Sequence, residues 1–126
     1  MKLLFDTNAI IDFLKLKDPP FDLPALLSEH ECLVSVIVKL ELLKFPAITA
    51  EEEKNIHDFL KFVPVVQLNE AIEDETIMIS RSTGLRLPDA IIGATSIVYG
   101  AEVVTSDPHF LNCQYEKLRI WQVPAK

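Results

Sequence analysis

The sequence has no apolar run long enough to span a membrane, no linker-like or low-complexity tract and no internal repeat. What remains is one domain with one core over residues 1–126. Cysteine is scarce. Cys32 and Cys113 lie far apart and belong to no CxxC pair, so they are expected to be buried apolar thiols rather than a disulfide or metal ligands. Basic residues are also few: 12 Lys and Arg stand against 19 Asp and Glu, for a net charge of −7. That balance argues against a generic basic nucleic-acid binder. It suits a protein that holds cations or meets a basic partner, although solubility alone also accounts for it. The opening MKLLF is no secretory signal by pattern. Asp6, Asn8 and Asp12 break its apolar stretch and no small-residue cleavage site follows, so the chain is expected to be mature and cytoplasmic.

What is present is an alternation of strand-like and helix-like segments. Lys2 to Phe5 reads as a first strand. Thr7 can cap a short helix toward Lys17, stopped by Pro19-Pro20. Leu23 to His30 is helical, and Cys32 to Ser35 is a second strand buried on both faces. Ser35 caps the helix VIVKLELLKF, which stops before Pro46. Thr49-Ala-Glu-Glu52 is a capping box for a helix to about Phe62. Val63 to Leu68 is a third strand, with Pro64 suggesting an edge position or a late start. Asn69 caps a helix to about Thr83, ended by Gly84. Another helix starts near Asp89 and ends at Gly100. Glu102 to Thr105 is a fourth strand and Leu118 to Trp121 a short last one. The expected fold is three-layer α/β/α, with a central parallel sheet of about five strands. In such open sheets ligands bind beyond the carboxyl ends of the strands, near a topological switch point.

Four acids fall where that edge should be. Asp6 follows the first strand directly, and in isolation it reads as a helix cap. Asp107, in VVTSDPHF, repeats the arrangement after the fourth strand, where a local turn accounts for it equally well. Asp89, in RLPDAIIGATSIVYG, opens a helix of small residues that is expected to pack hard into the core. Glu41 lies on an otherwise apolar helix, about 160° from Lys39 and about 60° from Lys44. It is either a rim residue pairing with Lys44 or a carboxylate facing the sheet edge. Together the four make a stronger case than any one alone, because the first and fourth strands are expected to be neighbours. Carboxylates that share a small site repel one another. A hard divalent cation relieves this, and Mg²⁺ needs only a few carboxylates, waters and a substrate phosphate. No Cys or His joins the acids as a candidate ligand, so zinc is not expected.

FDTN near the start, SVIVKLELL in the middle and LPDAIIGATSIVYGAEVVTSDPHF late resemble the PIN domain, and more narrowly the VapC-type toxins of toxin–antitoxin pairs. The resemblance spans essentially the whole chain. It implies a Mg²⁺- or Mn²⁺-dependent endoribonuclease, homodimeric, inhibited by an antitoxin that inserts a segment near the active site. It carries the family's acids onto Asp6, Glu41, Asp89 and Asp107, and its supporting polar positions onto Asn8 and Thr105. Hydrolysis by an activated water does not need the RNA 2′-hydroxyl, so 5′-phosphate and 3′-hydroxyl ends are expected. Phosphate contacts, where an acidic chain has them, fall to Lys39, Lys44 and Arg86, with Lys15, Lys17 and Arg81 as further candidates. His57, His109, Phe110 and Trp121 are read as structural, although His109 lies close enough to Asp107 to touch substrate. Two alternatives stand beside this reading. A phosphatase or phospho-receiver on a similar sheet wants a second acid where Asn8 stands, and a Lys close after the fourth strand. A non-catalytic dimeric binding module does not need the acidic set.

Overall fold

The computed structural model describes residues 1–14 and 23–121. The possible helix extension to Lys17, the Pro19-Pro20 stop, Lys15 and Lys17 lie outside those residues. Four parallel strands form the sheet: β1 (Lys2–Phe5), β2 (Glu31–Ser35), β3 (Val65–Val66) and β4 (Glu102–Val104), in the order β3-β2-β1-β4. Chain order runs outward from β1 through β2 to β3, then returns to place β4 on the other side of β1. The switch point is therefore between β1 and β4, whose register pairs Leu4 with Val103 and Phe5 with Val104.

Helices cover both faces. They are α1 (Thr7–Leu14), α2 (Leu23–Glu29), α3 (Val36–Leu43), α4 (Ala50–Phe62), α5 (Glu70–Thr83), α6 (Leu87–Tyr99) and α7 (Pro108–Leu111). The strands are apolar on both sides because both sides are covered: Leu3, Leu4, Phe5, Val34, Val103 and Val104 have no exposed surface. The caps read from the sequence are formed. Ser35 Oγ accepts the Ile37 N–H at 3.2 Å. Thr49 and Glu52 exchange side-chain-to-backbone bonds of 3.0 Å, and Asn69 Oδ1 accepts the Ile72 N–H at 2.9 Å. Gly84 closes α5 at φ 72°, where a Cβ would be strained. Cys32 and Cys113 are both free, the first buried and the second half-buried.

Four local expectations are corrected. Thr7 does not cap α1 but opens it, and its N–H is received by Asp6 Oδ1 at 2.8 Å. Asp89 does not begin α6: the helix starts two residues earlier at Leu87, and Asp89 sits in its first turn. Pro88 causes the shift, since an early helical position needs no N–H donor. The third strand shrinks to Val65–Val66 on the sheet edge, because Pro64 has no N–H to give the ladder. The last strand is reduced to one parallel bridge, Val103 to Ile120, so the sheet has four full strands.

Candidate active site

Asp6 is placed by the end of β1. Its own N–H donates to Val104 O at 2.9 Å, so the β1–β4 ladder runs right up to the acid. The side chain is buried, with 4% of its surface exposed. Both carboxylate oxygens are engaged. Oδ1 accepts the Thr7 N–H, and Oδ2 accepts the Thr105 hydroxyl at 2.7 Å. Burial pushes the Asp6 carboxyl up to about 6, against those two hydrogen bonds, and the charges of Asp89 and Asp107 push it further in the same direction.

The other acids come from separate elements. Asp89 is buried in the first turn of α6, where the helix dipole favours a negative charge. Burial raises its carboxyl too. The Arg86 guanidinium, with Nε 3.6 Å from Oδ2, opposes that shift, while Asp107 and Glu41 reinforce it. Asp107 behaves oppositely. Partial burial pushes its carboxyl up, but the backbone and ring hydrogen bonds from His109, both 2.9 Å, outweigh burial and hold it below the ordinary carboxylate range. Glu41 does not pair with Lys44. Its Oε1 accepts the Thr7 hydroxyl at 2.8 Å, and Lys44 lies over the Phe45 ring instead. The four acids read from the sequence therefore share one electrostatic neighbourhood at the carboxyl edge of β1 and β4.

Of the supporting positions, Thr105 holds Asp6, and its hydroxyl also accepts the Asp107 N–H at 3.0 Å. Asn8 Oδ1 meets the Ser106 N–H at a loose 3.5 Å, joining the turn after β1 to the turn after β4. Lys39 and Lys44 form no ion pair with the four acids among the described residues, whereas Arg86 does. Thr7 looks like a cap in its local sequence, which carries no signal for its second role. Through its N–H and its hydroxyl it ties Asp6 to Glu41, a residue 34 positions away.

Among the described residues no group of three or more His, Cys, Asp or Glu side chains is assembled so that it could hold a metal ion as it stands. Several of the acid oxygens are occupied by hydroxyl and N–H donors instead. In kind the donors do fit a hard divalent cation: all are carboxylate oxygens, one is buried with its carboxyl pushed up to about 6, and the acids repel one another.

Residues 3–114 match the PIN domain, and the chain belongs to that family. Solved structures share the fold. A chain of a toxin–antitoxin complex from Klebsiella pneumoniae is 25% identical at a TM-score of 0.71, covering 83% of this chain and 86% of that one. A chain of VapBC2 from Rickettsia felis, bound to a DNA fragment from its promoter, has a TM-score of 0.79 at 18% identity, covering 97% and 100%. A chain of DNA-bound VapBC from Salmonella typhimurium has a TM-score of 0.79 at 20% identity, covering 96% and 97%. Comparison with curated proteins gives no match.

Proposed function

We propose that this chain, acting as a single domain over residues 1–126, is the toxin of a toxin–antitoxin pair and a divalent-metal-dependent endoribonuclease. The observation that carries the reading is the meeting of Asp6, Glu41, Asp89 and Asp107 at the switch point of a PIN domain. Asp6, Asp89 and Asp107, with Glu41 directly or through water, are the residues that would hold Mg²⁺ or Mn²⁺. When bound, such a cation activates water and neutralises charge on the phosphodiester. The chain's own part is to keep the acids in place: Thr105 holds Asp6 and the backbone of Asp107, and Thr7 links Asp6 to Glu41. Attack by water leaves 5′-phosphate and 3′-hydroxyl ends.

The partners follow from the same reading. Toxin–antitoxin complexes among the solved relatives support an antitoxin partner, and the family reading adds a homodimer acting in the cytoplasm. A cleft of about 290 Å³ beside α1, lined by Ile11, Leu14, Leu42, Phe45 and Ile56, suits an apolar antitoxin segment. The test is cleavage of total cellular RNA by purified protein with Mg²⁺, with Mn²⁺ and with chelator. Discrete metal-dependent cuts with 5′-phosphate ends are expected, and 2′,3′-cyclic phosphate ends would sink the mechanism.

A further inference from the structure

A second cleft, of about 350 Å³, lies between the α5–α6 turn and α7. Thr83, Arg86, Asp89, His109, Asn112 and Cys113 line it. Unlike the apolar cleft beside α1, it contains one of the four acids. Its size is at the small end of ligand sites, which span about 300–1,000 Å³, and suits one nucleotide of a flexible strand rather than a duplex.

The cleft also answers the charge problem posed by a chain of net charge −7. A phosphate approaching Asp89 and Asp107 meets two like charges. Two nitrogen-bearing side chains flank them from the cleft. Arg86 stands at the N-cap of α6 but makes no capping bond with its side chain, which is 76% exposed. Its Nε approaches Asp89 Oδ2 at 3.6 Å, so part of the guanidinium faces that acid, while the exposed remainder of its donor fork is open to a planar oxyanion. His109 is 79% exposed and lines the cleft with its ring held to Asp107 through Nδ1. Arg86 lowers the carboxyls of both Asp89 and Asp107, so its charge reaches both acids.

We propose that this cleft seats a backbone phosphate of single-stranded RNA beside the bond that is cut, with the Arg86 guanidinium as its donor. The inference rests on the nuclease reading and deepens it: the phosphate track enters past α7 and the α5–α6 turn, not along Lys39 of α3 and Lys44 at its C-cap.

Cys113 supplies a probe within the cleft, and buried Cys32 an internal control against alkylation. The experiment uses a short single-stranded RNA with Ca²⁺ in place of Mg²⁺, so that the strand is bound without being cut. Binding is followed by fluorescence anisotropy across a salt series, and alkylation of Cys113 is timed with and without saturating RNA. RNA is expected to slow Cys113 alkylation several-fold. Arg86→Gln should weaken binding and reduce the salt slope by about 0.7, the value for one phosphate on a single strand. It should also raise KM for cleavage in Mg²⁺ more than it lowers kcat, and Arg86→Lys should restore part of the loss. Arg86→Gln leaves buried Asp89 without its cation, so a small fall in Tm is expected for that variant, and Arg86→Lys should restore it. If wild-type protein binds or cuts RNA while Cys113 stays unprotected and Arg86→Gln leaves slope and KM unchanged, the subsite is overturned and the nuclease reading stands. If wild-type protein neither binds nor cuts RNA with any of the cations, both fall together.

Discussion

The β2–β3 half of the sheet and the β1–β4 half share one parallel architecture but use their polar residues in opposite ways. At the carboxyl end of β2, buried Ser35 caps α3. Thr49, Glu52 and Asn69 do the same for α4 and α5. Each of these bonds spans two or three residues and satisfies a backbone N–H that the helix would otherwise leave open. At the carboxyl end of β1 the buried residue is an acid. Thr105, 99 positions away, and neighbouring Thr7 supply its hydrogen bonds, and Thr7 also reaches Glu41. The first arrangement lowers the free energy of folding. The second gathers like charges and raises it, so the β1–β4 junction is the costlier of the two strand ends.

The largest effect expected from breaking this contrast comes from Asp89→Asn. Cleavage should fall by more than the roughly hundredfold that loss of an outer-shell partner costs at a metal site. Circular dichroism and Tm should stay near wild type, since an amide is easier to bury in α6 than a carboxylate. Full metal-dependent cleavage by this variant would remove the site assignment.

Asp6→Asn sharpens the comparison through stability. The folded carboxyl is pushed up to about 6, while an unfolded Asp titrates near 3.9. Between those values the folded protein binds a proton that the unfolded chain does not. Stability of the metal-free protein therefore falls as pH rises through that window, and above it the full penalty of about 3 kcal/mol is present. The Asn variant should flatten this slope in urea titrations run from pH 4 to 7. A slope that persists in the variant would assign it to other groups, Asp89 among them.

Thr7→Val keeps the shape and removes the hydroxyl. Mn²⁺ affinity by calorimetry should drop by about 10- to 100-fold, with a stability change near 1 kcal/mol, and Thr7→Ser should recover the affinity. Equal affinities for wild type and valine would show that Glu41 needs no tether. The smallest effect is expected on the other side of the sheet. Thr49→Ala should cost about 1 kcal/mol in denaturant melts and leave both Mn²⁺ binding and cleavage untouched. A loss of cleavage there would dissolve the distinction between the two halves.

Much of the fold was legible because its signals are local. The capping box at Thr49, the Asn69 cap, the left-handed Gly84 and the apolar run Leu3–Phe5 each report on neighbours within a turn. The ends of α6 and β3 were less legible because the prolines beside them permit two starts, and packing selects one. The acids themselves could be named from the order of strands and helices. Of their partners, Thr105 and Asn8 could be named through the family resemblance and His109 through its nearness to Asp107. Thr7 could not, because it looks like a cap in any local window.

Residue order along the chain was enough to specify a parallel α/β domain with Asp6 and Asp107 at its strand ends, because hydrophobic period and cap chemistry act over a few residues. Only the tertiary structure decided the register that sets Phe5 against Val104, that Thr105 holds Asp6, that Thr7 bridges Asp6 to Glu41, and that Arg86 and His109 line one cleft. Those relations join positions from 23 residues apart, for Arg86 and His109, to 99 apart, for Asp6 and Thr105. Such separations close only when the sheet order is set by burying both faces of the strands at once.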